Sequence, residues 1–245
     1  MCAIAKDEGP YLDEWIRYNL KLGFDAVYVY DNSDDGAALV DLAAAHPEGS
    51  VVVVPFPGHA MQLSAYWHFR EAYGARHTWC AFIDVDEFVV LRRHDCVKDL
   101  LREHCGEGAL ALNWHMFGSG GETEYRAEPV RKRFTRRAAR VDQHVKTIVR
   151  LGDMLHHIGP HHVALREGAT QHDTSGRRFH GPFNPEGPDD VACIHHYFVK
   201  SRGEFARKIR RGRSDGNPDR CMREFEAHDV NEVEDASAWT FMPDE

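Results

Sequence analysis

From its second residue the chain alternates between two hydrophobic periods. The apolar run CAIA (2–5) reads as a strand; after KDEGP comes YLDEWIRYNLKLG, in which Leu12, Trp15, Ile16 and Leu20 recur at helical spacing. Pro10 suits a first helical turn, Asp13 and Glu14 suit the positive end of the helix dipole, and Gly23 suits the C-terminal stop. AVYVYD (26–31) repeats the strand pattern, NSDDG makes a turn, AALVDLAAA (37–45) predicts a second helix, and VVVVPF (51–56) a third strand. A helix from about Met61 to Tyr73 leads into a fourth strand, TWCAFID (78–84). Strands alternating with helices at this spacing predict an α/β chain: a mostly parallel, twisted sheet with helices on both faces. Ligands bind such sheets beyond the carboxyl ends of the strands. The polar residues after strands one, two and four, KDE, DNSDD and DVDE, are therefore expected to meet at one edge.

Past residue 105 the pattern loosens. ALALNWHMF and HVKTIVRL predict strands, and residues 166–190, rich in Gly, Pro, His and charge, predict a long loop. SRGEFARKIRRG and DRCMREFEAH predict helices, and VNEVEDASAWTFMPDE an acidic tail. There is no internal repeat. At 245 residues, with 42% hydrophobic and 28% charged residues, the chain is long enough for one sizeable core, and a single domain over 1–245 is expected.

A net charge of -9 argues against a general nucleic-acid binder, which needs clustered Lys and Arg on a basic face. No apolar run reaches the roughly 18 to 20 residues of a membrane-spanning helix. The six cysteines (Cys2, Cys80, Cys96, Cys105, Cys193 and Cys221) are scattered, without a C-x-x-C pair. Reduced thiols in a cytoplasmic compartment are expected, or else a soluble catalytic piece of a larger or membrane-associated protein. The histidine pairs at 156–157 and 161–162 lack zinc-ligand spacing.

The most informative stretch is AFIDVDEFVVL (81–91), where a buried strand pattern breaks off in Asp84, Asp86 and Glu87. In an extended segment Asp84 and Asp86 share a face, and adjacent carboxylates repel unless a proton or a cation lies between them. A hard divalent ion, Mg²⁺ or Mn²⁺, with water and phosphate oxygens completing its shell, resolves the conflict. The alternative is that Asp84 and Glu87 cap a turn, or pair with Arg92 and Arg93.

The pieces CAIAKDEGPYLDEWIRYNLKLG, VYVYDNSDDG, WCAFIDVDEFVVL, NWHMFGSGG, HVKTIV and IHHYFVKSRGEFARK, in this order, resemble the successive motifs of glycosyltransferase family 92, the DUF23 group, relatives of family 2 glycosyltransferases. The resemblance implies a GT-A (Rossmann-like) fold. Residues 1–105 would be the nucleotide-sugar-binding half, 106–215 a looser acceptor-side half, and 216–245 a C-terminal helix and acidic tail. It implies transfer of a sugar from a nucleotide diphosphate donor, usually a UDP-sugar, to a glycan acceptor hydroxyl, assisted by Mn²⁺ or Mg²⁺. Ala3, Ala5, Lys6 and Glu8 would border the base and ribose, and Asp31 and Asn32 would close the base pocket. Asp86 would bind the metal directly. Asp84, next to Val85, would contact the ribose or a metal-bound water, or ligate the metal itself. Of His195 and His196, the resemblance favours His196 as the distant metal ligand, and Lys200 would meet the diphosphate. Lys146 would serve the phosphates or the acceptor. Gln62 and Tyr66 fall on a helix that lines the donor site in the family; four apart, they can equally be packing.

If the anomeric centre inverts, a carboxylate must take the proton of the attacking hydroxyl. Glu122, after the FGSGG turn, is the candidate and Asp173 the runner-up, whereas a retaining reaction needs no such base. Trp114, Phe117 and the turn from Gly118 to Gly121 offer a platform for a sugar ring, or simply core. Two other functions fit the same acids: a metal-dependent phosphohydrolase, for which the DNSDD turn would supply further ligands, and a non-catalytic nucleotide- or carbohydrate-binding module.

Overall fold

Alternate residues of the first strand are buried on opposite faces, and this decides how the sheet is covered. In the computed structural model, which describes residues 1–34, 36–37, 39, 41–213 and 220–243, β1 (Cys2–Ala5) is followed by α1 (Gly9–Lys21), β2 (Val27–Asp31) and β3 (Val51–Pro55). The three strands are parallel, in the order β1-β2-β3. Ala3, Ala5, Val27 and Val29 share a core cluster with Leu12, Trp15 and Ile16 of α1. Cys2, Ile4, Tyr28 and Tyr30 share another with Ala65, Tyr66 and Phe69 of α2 (Gln62–Tyr73). Helices therefore cover both faces, as the alternating pattern requires. Gly23, past the end of α1, has φ 101°, and a Cβ there would lie 2.4 Å from the Cys96 sulfur, so the helix stop needs glycine twice over.

After α2 the chain crosses to the other side of β1. β4 (Trp79–Ala81) reaches it through a parallel bridge between Cys2 and Phe82, and the Ile83 N–H donates to the Cys2 carbonyl at 3.3 Å. β2 and β3 lie on one side of β1 and β4 on the other, so the strand order reverses at β1/β4, where an open α/β sheet leaves a crevice.

The remaining elements are β5 (Glu87–Leu91), α3 (Val97–His104), β6 (Ala109–Met116), α4 (Val130–Arg133), β7 (Arg136–Arg137), β8 (Asp142–Arg150), β9 (Met154–His157), β10 (Val163–Leu165), β11 (Gln171–His172), β12 (Ala192–His196), α5 (Arg202–Arg211), α6 (Met222–His228), β13 (Val233–Glu234) and α7 (Ser237–Phe241). The second sheet runs β4-β8-β6-β12-β5, with β11 also beside β6. Its β4–β8, β6–β8 and β5–β12 pairs are antiparallel, and only β6–β12 and β6–β11 are parallel. The architecture is α/β, but mixed rather than mostly parallel. A parallel neighbour needs a crossover long enough for a helix, and the second half has few such crossovers.

Two further expectations change. Of the helix predicted over 37–45 only a 3-10 turn, Leu42–Ala45, forms, with Ala38 and Val40 outside the described residues. The acidic tail is folded: Val233 and Glu234 pair with Arg137 and Arg136, and Asp235 accepts from Arg137 at 2.9 Å. Arg131, almost wholly buried, joins this tail to α1. It bonds Glu14 at 2.8 Å and the carbonyls of Ala238 and Met242 at 2.8 and 3.0 Å, with its guanidinium 4.8 Å from the Tyr18 ring. Phe241 packs edge-on against Tyr18, 5.5 Å between ring centroids. Residues 214–219 and 244–245, part of the predicted C-terminal helix and tail, lie outside the described residues. No helix among the described residues is long and apolar enough to cross a membrane.

Candidate active site

The acids that follow β4 form a turn, not an extension of the strand. The Glu87 N–H donates to the Asp84 carbonyl at 3.0 Å, and the Glu87 carboxylate accepts the Asp84 N–H at 3.0 Å. This separates the two aspartates that an extended segment would have put on one face. Asp84 accepts from Gln62 Nε2 and from Lys146 Nζ, each at 2.8 Å, and Gln62 is steadied by Tyr66 at 3.1 Å. Asp86 turns the other way: Lys208 Nζ lies 2.6 Å from one carboxylate oxygen and His196 Nε2 3.6 Å from the other. Arg92 and Arg93 pair elsewhere, with Asp235 and Asp190.

Burial sets the charges. It would raise the Asp86 carboxyl, but Lys208, His196 and Lys200 outweigh it and hold the group well below the usual carboxylate range. Glu87, fully buried, is pushed well above that range, with Lys146 at 3.5 Å pulling back only in part. Burial lowers the His196 imidazole despite Asp86 beside it, so its neutral form, the one a metal requires, is favoured.

These groups meet at the crevice between β1 and β4. A cavity of about 460 Å³ is lined by Ile4, Lys6 and Glu8 after β1, by Gln62, and by Asp84, Val85 and Asp86. Its further walls are Trp114 and Met116 of β6, Asp142 and His144 of β8, His161, His196, and the α5 residues Lys208 and Arg211. Helix α5 is fixed by a capping box between Ser201 and Glu204, and Glu204 also accepts from Tyr11 at 2.8 Å and from buried Arg133 at 2.7 Å. So anchored, α5 carries Lys208 to Asp86 and Arg211 to Glu8, 2.5 Å away, and to the Lys6 carbonyl at 2.7 Å. A second hollow shares Glu8, Phe198, Lys208 and Arg211 with the first and adds Tyr11, Tyr125, Lys200 and Arg207. Lys200 adopts φ 51° and places its ammonium 4.2 Å over the Tyr11 ring and 3.8 Å from Glu8.

Several expected site residues lie elsewhere. Ala3 and Ala5 face the core beneath α1, and it is Ile4 between them that lines the cavity. Asp31 accepts the Ser33 and Leu39 N–H groups at 3.0 and 2.9 Å, and Asn32 donates to the Phe56 and Gly58 carbonyls at 2.8 and 3.0 Å. Asp31 therefore binds the turn after β2 and Asn32 the segment after β3, and neither lines the cavity. Asp34 pairs with Lys6 at 2.6 Å, and Asp35, the other acid of that turn, is outside the described residues. Lys146 is fully buried beneath Asp84 and does not line the cavity. Glu122 pairs with Arg126. Asp173 holds its own loop through Ser175 at 2.6 Å, Asn184 at 3.1 Å and Arg177 at 3.2 Å. Neither carboxylate reaches the cavity, because each is spent on local turn geometry. His195 packs against Phe117 and is buried without exposure, while His196 lines the cavity.

Lys208, Arg211, Asp142, His144 and His161 were not anticipated. Glu204, Lys208 and Arg211 stand at i, i+4 and i+7 of a predicted helix and so share a face; Asp142 lies two residues before the start of the predicted strand at His144. Those spacings were visible, but not the surface they face.

Among the described residues the one trio of ligand-type atoms mutually within 4.8 Å is His94, Glu103 and His104, outside this cavity. Asp84, Asp86 and His196 form no such trio. Asp86 and His196 fit a divalent ion as a two-residue site, carboxylate plus imidazole, with water and donor oxygens left to complete the shell. Asp84, engaged by Gln62 and Lys146, stands one layer out.

Part of the cavity wall, from Lys6 to His161, lies in the region by which the chain is related to known proteins. The glycosyltransferase family 92 profile matches residues 6–177. A glycosyltransferase family 92 protein of Oryza sativa subsp. japonica is 31% identical over 175 residues, covering 69% of this chain and 30% of the relative. One of Arabidopsis thaliana is 26% identical over 184 residues, covering 69% and 32%. One of Ricinus communis is 27% identical over 225 residues, covering 85% and 36%. The matched region is about a third of each relative's length. With the profile running from the residues after β1, through the Asp84–Asp86 turn and into the loop that follows β11, the chain belongs to glycosyltransferase family 92.

Proposed function

We propose that this chain is a GT-A-type catalytic domain that moves a sugar from a nucleotide diphosphate donor, a UDP-sugar, to a carbohydrate hydroxyl with the help of Mn²⁺ or Mg²⁺. One observation carries the reading. The polar end of β1, the Asp84–Asp86 turn, His196 and the cations Lys208 and Arg211 line one cavity at the reversal of strand order. Ile4, Lys6 and Glu8 would border the base and ribose, with Asp84 held by Gln62 and Lys146 toward the ribose side. Glycosyl transfer places growing negative charge on the departing diphosphate, and preorganised cations aimed at those oxygens lower the barrier most. Lys208 and Arg211 supply that charge from the rigid α5, and Lys200 from the adjoining hollow. A divalent ion held by Asp86 and His196 would add Lewis-acid stabilisation of the same leaving group.

A thermal-shift panel of UDP-, GDP- and TDP-sugars with and without Mn²⁺ tests this, because a ligand that binds only the native state raises its melting point. UDP compounds are expected to raise it, more with Mn²⁺ than without, and Asp86→Ala to remove the metal-dependent part. A GDP or TDP preference overturns the donor assignment; a UDP shift indifferent to Mn²⁺ overturns the metal.

A further inference from the structure

Neither Glu122 nor Asp173 reaches the cavity, yet its wall carries another acid–base pair. Asp142 opens β8, and its Oδ1 lies 2.8 Å from the His144 backbone N–H and 2.7 Å from His144 Nδ1. The backbone bond fixes the carboxylate, and the carboxylate in turn fixes the ring. A hydrogen bond at Nδ1 places the imidazole proton there and leaves a lone pair on Nε2. Among the described residues no hydrogen bond engages that Nε2. The ring is stacked on Trp114, with centroids 4.9 Å apart and planes at 22°, and abuts Phe183 at 4.8 Å. It is held in place, but about a third of its side chain remains accessible from the cavity.

The position fits proton removal from an incoming hydroxyl. Trp114 touches both His144, stacked at 4.9 Å, and His196, at 4.3 Å, and all three line the cavity. His144 lies where the register of β8 against β6 shifts, between Val145 opposite Asn113 and Asp142 opposite Trp114, and it lines the cavity while Lys146 is buried beneath Asp84. Asp142, His144, Asp86 and His196 all line this one cavity.

We propose that His144 is the general base for the acceptor hydroxyl and that Asp142 is its positioning residue. This rests on the transferase reading above. In the step, the acceptor O–H gives its proton to Nε2 and the oxygen's electron pair forms the new C1–O bond. The C1–O bond to the diphosphate breaks with its pair leaving on the phosphate oxygen, and the imidazolium later releases its proton to water. Asp142 balances the imidazolium's charge without taking the proton. Attack from the side facing away from the diphosphate inverts the anomeric centre.

The test uses His144→Phe, which keeps a flat ring on Trp114 but deletes both nitrogens, and Asp142→Asn, which removes the charge. UDP release is followed from UDP-glucose and UDP-galactose with Mn²⁺, water being the acceptor, with and without sodium azide. Azide attacks C1 without needing a base. His144→Phe is expected to slow UDP release about 10²-fold or more, while the thermal shift given by UDP stays that of the wild type. Azide should restore turnover in both variants, giving a glycosyl azide of inverted configuration, and do little for the wild type. Wild-type rates in His144→Phe, or a slow variant that azide does not rescue although UDP still binds, overturn the base. No UDP release by the wild type from either donor, with no UDP thermal shift, overturns the transferase reading itself and the base with it.

Discussion

Replacing Lys146 with methionine tests the electrostatics under the Asp84–Asp86 turn. The ammonium is fully buried, 2.8 Å from the Asp84 carboxylate and 3.5 Å from that of Glu87, which is itself without exposure. Methionine keeps most of the volume and deletes the charge, leaving two carboxyl groups of one turn without their cation. Breaking a buried ion pair by removing one partner costs about 3–5 kcal/mol. Asp84 retains 32% of its side-chain exposure, so water offsets part of its share. Glu87, already pushed well above the usual carboxylate range by burial, can answer by holding a proton. Both arguments point to the lower end, about 3 kcal/mol, and hence a melting point lower by roughly 6–12 °C for a chain of this size. Adding Asp84→Asn should recover most of the loss, because the surviving acid can then be neutral. The pH dependence has a definite sign. A carboxyl whose folded pKa lies above its unfolded value keeps its proton longer in the native state, so stability falls as pH rises from about 4.5 toward the folded value. The penalty of Lys146→Met is therefore smaller in acid. Urea titrations and melting curves at two pH values read all of this. A melting point within 2 °C of wild type, or an Asp84→Asn double variant no better than the single, would refute the assignment of Lys146 as the turn's counterion.

Two further outcomes follow from the packing. Gly187→Ala would set a methyl 1.8 Å from the Asn113 side-chain oxygen, which accepts from the Asn184 amide at 3.1 Å. Because both amides are buried and Asn184 also bonds Asp173, a loss of about 1–3 kcal/mol is expected, read as a lower urea midpoint; a neutral result would show that this loop relaxes freely. Burial against Phe82 and Tyr66 pushes the His157 imidazole down to about 4. The unfolded chain takes up a proton below its ordinary value of 6.5 while the native chain does not, so stability is lost as pH falls from 6.5 to about 4. His157→Phe should flatten that slope, by about 2 kcal/mol between pH 7 and 5, and an unchanged slope would show that His157 protonates in the native state.

The first half of the fold was legible because its hydrophobic periods are dictated by burial on both sides. Cys2–Ala5, Val27–Asp31 and Val51–Pro55 became parallel strands, and Leu12, Trp15 and Ile16 face the sheet as their spacing requires. The second half was legible as strands but not as pairings. Nothing in HVKTIVRL says that β8 will lie antiparallel between β4 and β6, because that is fixed by connections with weak turn signals. For the site, the cavity residues to which the family resemblance gives a role were expected, whereas Lys208, Arg211, Asp142, His144 and His161 were missed. Asp84, Asp86, Lys6, Glu8, Gln62 and His196 line the cavity. Lys208 and Asp86 are 122 positions apart in the chain, and the helix that brings them together is anchored by the Arg133–Glu204 pair, itself 71 apart. Asp31 and Glu122 misled for one reason: an acid beside a Ser- or Gly-rich turn more often bonds that turn's own N–H groups or a nearby arginine than a ligand.

The two aspartates are also less alike than their spacing suggests. Each carboxylate has its own lysine, but the lysines differ in access. Lys146 is sealed beneath the turn, whereas Lys208 lies at the cavity wall with Arg211 one turn further along α5. Asp84 therefore has a permanent counterion and no need of another. Asp86 is paired with an ammonium on a flexible four-carbon stem, beside a histidine whose Nδ1 has no hydrogen-bond partner among the described residues. On the proposed reading, Asp86 and His196 would hold a divalent ion that supplies charge to the donor diphosphate, and Lys208 would be freed to meet a phosphate oxygen. Each charge would then keep a partner, so the buried acid would not be left bare. The same exchange explains why a cluster of carboxylates can be stable at the margin of a core before any ligand arrives: lysines from β8 and α5 hold the places that substrate and cation would later share.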